Sequence, residues 1–238
     1  MCESHGFGLS RRGFIVAGAA AALSGGVALP AFAQGANTAP PNAISPDAAL
    51  KRLMDGNARY AANTPDQKDF TAGRAARASA QYPFAAILSC ADSRVAPELA
   101  FDEGPGELFV VRLAGNFVND DGLASLEYGA KFLGTPLIMV LGHTNCGAVD
   151  AAIKVLKDNA KLPGHLPELV NSIKPAVEKA KAEKPANLLD ASIAANVALN
   201  VNRLKTAKPI LSKMIADGKV KVVGAVYDLA TGKVNLIG

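Results

Sequence analysis

Phe84-Ala85-Ala86-Ile87-Leu88-Ser89-Cys90-Ala91-Asp92-Ser93-Arg94 is an apolar run that ends in a thiol, a carboxylate and a guanidinium at alternate positions. A short apolar run of this kind, bounded by Pro83, reads as a buried strand whose end delivers its alternate side chains to one side. The same arrangement returns downstream, where the apolar run Leu137 to Leu141 is followed by Gly142-His143-Thr144-Asn145-Cys146-Gly147. Strand and helix patterns alternate around these two stretches: strand 84–89, a short helix near 97–102, strand 107–112, helix 122–133, strand 137–141 and a helix from 147. The alternation predicts an α/β fold with a mostly parallel sheet flanked by helices. In such sheets ligands gather at the carboxyl ends of the strands, where both polar clusters fall.

The flanking segments complete this frame. Ser45-Pro46-Asp47 supplies a cap, a first-turn proline and an acid favourable to the helix dipole, so an N-terminal helical arm runs from 45 to about 63. Its stripe Ala49, Leu50, Leu53 and Met54 suits its own core or a partner chain equally. Residues 64–83 are polar and irregular. After the break at Pro163-Gly164, helical stretches are expected over 166–183 and 187–216, and 220–227 with 233–236 form a closing strand and hairpin.

The chain has 238 residues, 50% hydrophobic and 19% charged, which suits one sizeable soluble core. Its net charge of +4 falls by one when residues 1–33, with Arg11, Arg12 and Glu3, are set aside, and no basic block marks a nucleic-acid partner. Ser10-Arg11-Arg12-Gly13-Phe14-Ile15, the small apolar run Val16 to Leu29 and Ala31-Phe32-Ala33 look like a twin-arginine signal peptide cleaved after Ala33. A membrane anchor fits less well, because Ser24, Gly25, Gly26 and Pro30 interrupt the span of about 20 apolar residues it would need. The division is then a signal peptide at 1–33, a linker at 34–44 and one catalytic domain at 45–238, with engagement of the export machinery and a periplasmic destination. Cys2 leaves with the signal, so Cys90 and Cys146 remain. In an oxidising compartment two cysteines invite a disulfide. The twin-arginine route, however, carries folded, cofactor-loaded proteins, which allows a metal–thiolate site to be assembled before export.

Two thiolates and one imidazole select zinc over calcium or magnesium, and three protein ligands leave a fourth position open, as a catalytic site requires. Zinc between two thiolates is formally neutral and needs help to ionise a bound water. Asp92 can accept a hydrogen bond from that water, and Arg94 can keep the carboxylate ionised and oriented by a bidentate pair. A structural zinc site explains Cys90, His143 and Cys146 but gives no task to Asp92 and Arg94. Zinc-bound hydroxide attacking a small electrophile employs all five.

Cys90-x-Asp92-x-Arg94 followed by His143-x-x-Cys146-Gly147 resembles the β-class carbonic anhydrases, as do Pro105-Gly106-Glu107, Val111-Arg112, Ala114-Gly115-Asn116, Glu127-Tyr128 and Gly224-Ala225-Val226-Tyr227-Asp228. The resemblance implies one zinc per chain on Cys90, His143 and Cys146, an Asp92/Arg94 dyad, and reversible hydration of carbon dioxide to bicarbonate and a proton. It also implies a homodimer or larger assembly. It assigns Gln81 and the Gly147 backbone N–H as donors to substrate oxygen, and Phe109 and Tyr128 as cleft walls. Without the resemblance these four read as a surface amide, a helix starter and two core aromatics. Ala114 stands where the family usually has a larger aliphatic residue. Ile87 stands where the subgroup with a regulatory bicarbonate site has tryptophan, which favours an always-open site over one in which Asp92 binds zinc. The alternatives are a carbon disulfide or carbonyl sulfide hydrolase on the same scaffold, and a non-catalytic zinc or dithiol protein.

Overall fold

A computed structural model describes residues 40–237; the signal-like segment 1–33 and the linker up to residue 39 lie outside the described residues. Four strands, β1 (Ala85–Ser89), β2 (Leu108–Arg112), β3 (Leu137–His143) and β4 (Lys221–Tyr227), run parallel, and β5 (Val234–Ile237) closes the sheet antiparallel to β4. The strand order is β2-β1-β3-β4-β5. The chain leaves β1 for β2 on one side and returns to β3 on the other, so the order reverses between β1 and β3. Their carboxyl ends therefore flank the crevice where open α/β sheets bind ligands.

Every residue of β1 and β3 is buried, as expected for strands covered on both faces. The period of two divides them. Ala85, Ile87, Leu137, Met139 and Leu141 pack with Leu53 and Phe101 on one face, and Ala86, Leu88, Ile138 and Val140 pack with Leu126, Val197 and Leu204 on the other. Helix α1 (Pro46–Ala61) covers the first face together with the short α3 (Pro97–Ala100), while α4 (Asp120–Phe132) and α7 (Leu188–Thr206) cover the second. A third cluster at the carboxyl end joins Cys90 and Cys146 to α5 (Gly147–Asp158), α6 (Leu166–Ala182) and Ile193 of α7.

Helix α1 begins as the sequence predicts, with the Ser45 hydroxyl accepting from the Ala48 N–H at 3.1 Å. Its apolar stripe lies on the chain's own sheet: Ala49 and Leu53 are fully buried there, with Leu50 and Met54 packed alongside. Three local expectations change. Residues Arg74–Ser79 form a short helix, α2, where an irregular segment was expected; Arg-Ala-Ala-Arg-Ala-Ser is a helix-favouring run that buries nothing. The helical stretch expected over 187–216 divides into α7 and α8 (Leu211–Ala216), because Pro209 lacks an N–H and disfavours helical backbone at Lys208. Strand β3 runs two residues further than expected, which places His143 on the strand itself. Among the described residues, no helix is long and apolar enough to cross a membrane.

Candidate metal centre

Cys90 is the residue after β1, His143 is the last residue of β3, and Cys146 is the N-cap of α5. Strands β1 and β3 are hydrogen-bonded neighbours, so the three ligands leave adjacent strand ends at the switch point. Asn145, at φ +54°, turns the chain back between His143 and Cys146. One ligand atom from each of Cys90, His143 and Cys146 lies within 4.8 Å of the other two, and all three residues are buried. Cys90 and Cys146 are free thiols and not a disulfide.

The hydrogen-bonding of His143 shows that a cation fits. Nδ1 lies 2.8 Å from the Thr144 carbonyl oxygen, which makes it the protonated nitrogen, and the buried Nε2 is left with no hydrogen-bond partner. An unpartnered imidazole nitrogen facing two thiols could serve as a ligand atom for a divalent metal. The carbonyl partner fixes the tautomer, as it does for metal-binding histidines in general. The charges agree. The Cys146 thiol lowers the Cys90 thiol below its ordinary range; burial opposes this, and His143 and the Gly115 N–H reinforce it. The charge on Cys90, together with burial, pushes Cys146 upward. Burial lowers the affinity of His143 for a proton, yet Cys90, the Thr144 carbonyl and Asp92 outweigh it and hold the imidazole above its usual value. A buried Cys90 thiolate beside a second thiol and an imidazole is a charge that a dication would satisfy together with both sulfurs.

Asp92 stands beside these ligands, its Oδ2 3.7 Å from His143 Nε2. Arg94 grips the carboxylate bidentately, Nε to Oδ1 at 2.9 Å and Nη2 to Oδ2 at 2.7 Å, and its backbone N–H adds a third bond to Oδ1 at 3.0 Å. The Arg94 side chain therefore holds Asp92 ionised, far below the usual carboxylate range. Arg112, at the end of β2, clamps the loop from beneath by donating to the backbone carbonyls of Cys90, Asp92 and Val95 at 3.0, 2.7 and 2.8 Å. On the other side the Gly115 N–H lies 3.2 Å from Cys90 Sγ. Gly115 has φ +85°, and a Cβ there would lie 2.5 Å from Ile173 Cδ1, so only glycine brings the backbone this close.

The remaining candidates divide. Gly147 opens α5 directly after Cys146 and is exposed, and a Cβ on it would meet nothing within 4 Å. Gln81, Phe109 and Tyr128 are not brought to the centre of their own chain. Gln81 precedes β1 and is exposed at the amino end of the strand, in a cavity of about 400 Å³ shared with Arg77, Tyr82 and Glu107. Phe109 pairs with Ala86, four residues before Cys90, or about 13 Å along the strand. Tyr128, half exposed on α4, stacks with Phe109 at 6.4 Å and with Phe132 at 5.6 Å. The physical reason is direct: groups that flank opposite ends of one strand cannot meet within one chain. Sequence reasoning gave no role to Asn196 and Asn200, two buried amides that hold the Gly115 loop; their spacing of four on an apolar helix face was the available signal.

The model of the carbonic anhydrase family matches residues 85–234. "Carbonic anhydrase 2" of Mycobacterium tuberculosis is 38% identical over 193 residues, covering 81% of this chain and 93% of that protein. A carbonic anhydrase of Pseudomonas aeruginosa is 33% identical, covering 79% and 87%. Among solved structures, the Coccomyxa β-carbonic anhydrase in complex with acetazolamide superposes with a TM-score of 0.64 at 29% identity, covering 79% of this chain and 86% of that one. A tetrameric β-carbonic anhydrase of Sordaria macrospora shares the fold at a TM-score of 0.64 and 22% identity, covering 70% and 86%.

Proposed function

The chain belongs to the carbonic anhydrase family, in its β-class, and from that premise we propose that it binds one zinc ion on Cys90, His143 and Cys146 and catalyses the reversible hydration of carbon dioxide. The observation that carries this reading is the unpartnered His143 Nε2 facing two thiols, with an ionised Asp92 beside it. Zinc held by Cys90, His143 and Cys146 would supply the Lewis acidity that lets a water lose its proton near neutral pH.

The chain's own groups do the rest. Asp92, kept anionic by Arg94, can only accept hydrogen bonds, so it orients a water's O–H toward Oδ2 and aims its lone pair at the substrate carbon. The three bonds from Arg94 fix that carboxylate in direction as well as in charge. The Gly147 backbone N–H stands in the first turn of α5, next to Cys146, where a helix N-terminus can donate to a substrate oxygen as negative charge develops. The apolar cluster of Val149, Ile173 and Ile193 lines the buried side of the thiolates and keeps bulk water from their sulfurs.

Gln81, Phe109 and Tyr128 are exposed or half-buried, and they lie away from their own centre. The β2 strand beside them is a free edge of the sheet. We infer that two copies associate so that these residues serve the centre of the other copy. The apolar stripe of α1 gives no support for this assembly, since it is already buried at home. The Ser10-to-Ala33 segment supports export of the folded, metal-loaded chain to the periplasm. Zinc content and carbon dioxide hydration measured on the purified protein test the main reading: one zinc per chain with rapid hydration is expected, and a zinc-loaded protein inert toward carbon dioxide would refute it.

A further inference from the structure

Helix α7 presents a buried face of Ile193, Val197 and Leu204, and into that face the sequence sets Asn196 and Asn200, which are 0% and 2% exposed. Buried amides are destabilising unless their donors and acceptors are used. Here they are used in one direction. Asn196 Nδ2 donates to the Gly115 carbonyl at 2.8 Å, and Asn200 Oδ1 accepts from the Val118 N–H at 2.8 Å. Asn200 Nδ2 then donates back to the Asn196 carbonyl at 2.8 Å and approaches Asn196 Oδ1 at 3.3 Å, so each amide orients the other. One turn further on, Arg203 Nη1 donates to the Val118 carbonyl at 2.6 Å. Residues 115–118 are thereby fastened to α7. The helix itself is seated by Val197, which fits against Gly142 and Gly224 so closely that a Cβ on either would lie 2.7 or 2.8 Å from it.

We propose that Asn196 and Asn200 are positioning residues for the metal centre, acting through the Gly115 N–H that lies on Cys90 Sγ. Asn196 anchors the carbonyl side of Gly115, while the amide on its other side faces the sulfur at 3.2 Å. Apolar packing of α7 would hold the loop in place, but a directional bond fixes the Gly115–Asn116 peptide, and through the Gly115 Cα it restrains the preceding peptide whose N–H faces the sulfur. The N–H draws charge from the thiolate, so its presence sets how strongly Cys90 binds the metal and how much charge it donates.

This inference rests on the reading of Cys90, His143 and Cys146 as metal ligands. The test compares the full chain with its Asn196→Ala variant by zinc affinity in a chelator competition and by the thiolate-to-metal charge-transfer band of the cobalt-substituted protein. Outer-shell partners of this kind are worth about tenfold or more in metal affinity. Asn196→Ala is therefore expected to bind zinc at least about tenfold more weakly, because Cys90 loses its preset orientation and its thiolate competes less well against protons, and to shift the band to longer wavelength, because a sulfur relieved of its N–H partner donates charge more readily. Val197→Ala, its neighbour on the same helix, removes packing but no bond to the loop, and is expected to lower the melting temperature with affinity and band unchanged. Parental affinity and band in Asn196→Ala would overturn the proposal, and so would the same changes in Val197→Ala, since a merely structural role would then account for both. Should Asn196→Ala not fold, Asn200→Ala carries the same readouts. Should neither fold, the parent loaded with NMR-active cadmium decides. The Gly115 amide proton must then couple to the metal through the Cys90 sulfur, with the Asn196 side-chain amide protected from exchange, and the lack of either overturns the proposal. A parent chain that takes up no metal would overturn the metal reading itself, an outcome distinct from a variant that binds as its parent does.

Discussion

Asp92 can assist a water only as a carboxylate, and the Arg94 fork is what keeps it one. Asp92→Asn preserves the shape and removes the charge; it should retain zinc and lose about a hundredfold or more in hydration rate, as measured by stopped flow. Arg94 also sets a pH limit. Its side chain holds Asp92 far below the ordinary carboxylate range, so in the parent Asp92 is ionised throughout the working pH range. Removing the guanidinium in Arg94→Ala raises that value toward the ordinary one near 4. Activity that depends on the charged form should then fall as pH drops through the new, higher value. An acid limb that does not move in Arg94→Ala would contradict the pairing. Cys90, Asp92, Arg94, His143 and Cys146 were legible in the sequence, because each belongs to a short polar cluster attached to an apolar run. Asn196 and Asn200 were not, since whether an amide is buried depends on the loop that meets it.

The elements are tied together by a few polar side chains as well as by the two apolar faces. Asn57 of α1 is one of them: its amide donates to the carbonyls of Ala100 and Gly232 at 2.9 and 2.8 Å, and its Oδ1 accepts from the Val234 N–H at 2.8 Å. One residue thus joins α1, the end of α3 and the β4–β5 hairpin. Asn57→Ala leaves buried backbone groups unpaired, and should destabilise the fold by about 2–4 kcal/mol in urea unfolding. A loss within about 0.5 kcal/mol, the range of ordinary surface changes, would mean that water replaces these bonds. The order of strands and helices was readable because the apolar runs of β1 and β3 are short and are punctuated by Pro83, Gly142 and Gly147. The division of α7 from α8 was also present in the sequence, as Pro209. The helical pattern on both sides of it concealed the break.

At the scale of the whole molecule, one chain holds the candidate metal ligands at the carboxyl edge of its sheet and carries Gln81, Phe109 and Tyr128 elsewhere. Sequence matching could assign those three to a cleft but not to a chain, because only the course of β1 shows that they lie away from Cys90. A shared site makes a prediction about mixtures. A Gln81→Ala chain with an intact centre, co-assembled with a Cys146→Ser chain that keeps Gln81, should recover activity that neither homodimer has; no recovery in the mixed dimer would place each site within one chain. Export is a separate expectation: changing Arg11 and Arg12 to Lys should leave the precursor unprocessed in a cell fraction, and normal processing would refute a twin-arginine signal. Carbon dioxide hydration by this chain depends most of all on a metal at Cys90, His143 and Cys146. Its most direct test is zinc content and carbon dioxide hydration measured side by side on the purified parent and on Cys146→Ser. The parent should hold one zinc per chain and hydrate carbon dioxide rapidly, and the variant should lose both; a Cys146→Ser protein that keeps full zinc and full activity would contradict the ligand set and the function built on it.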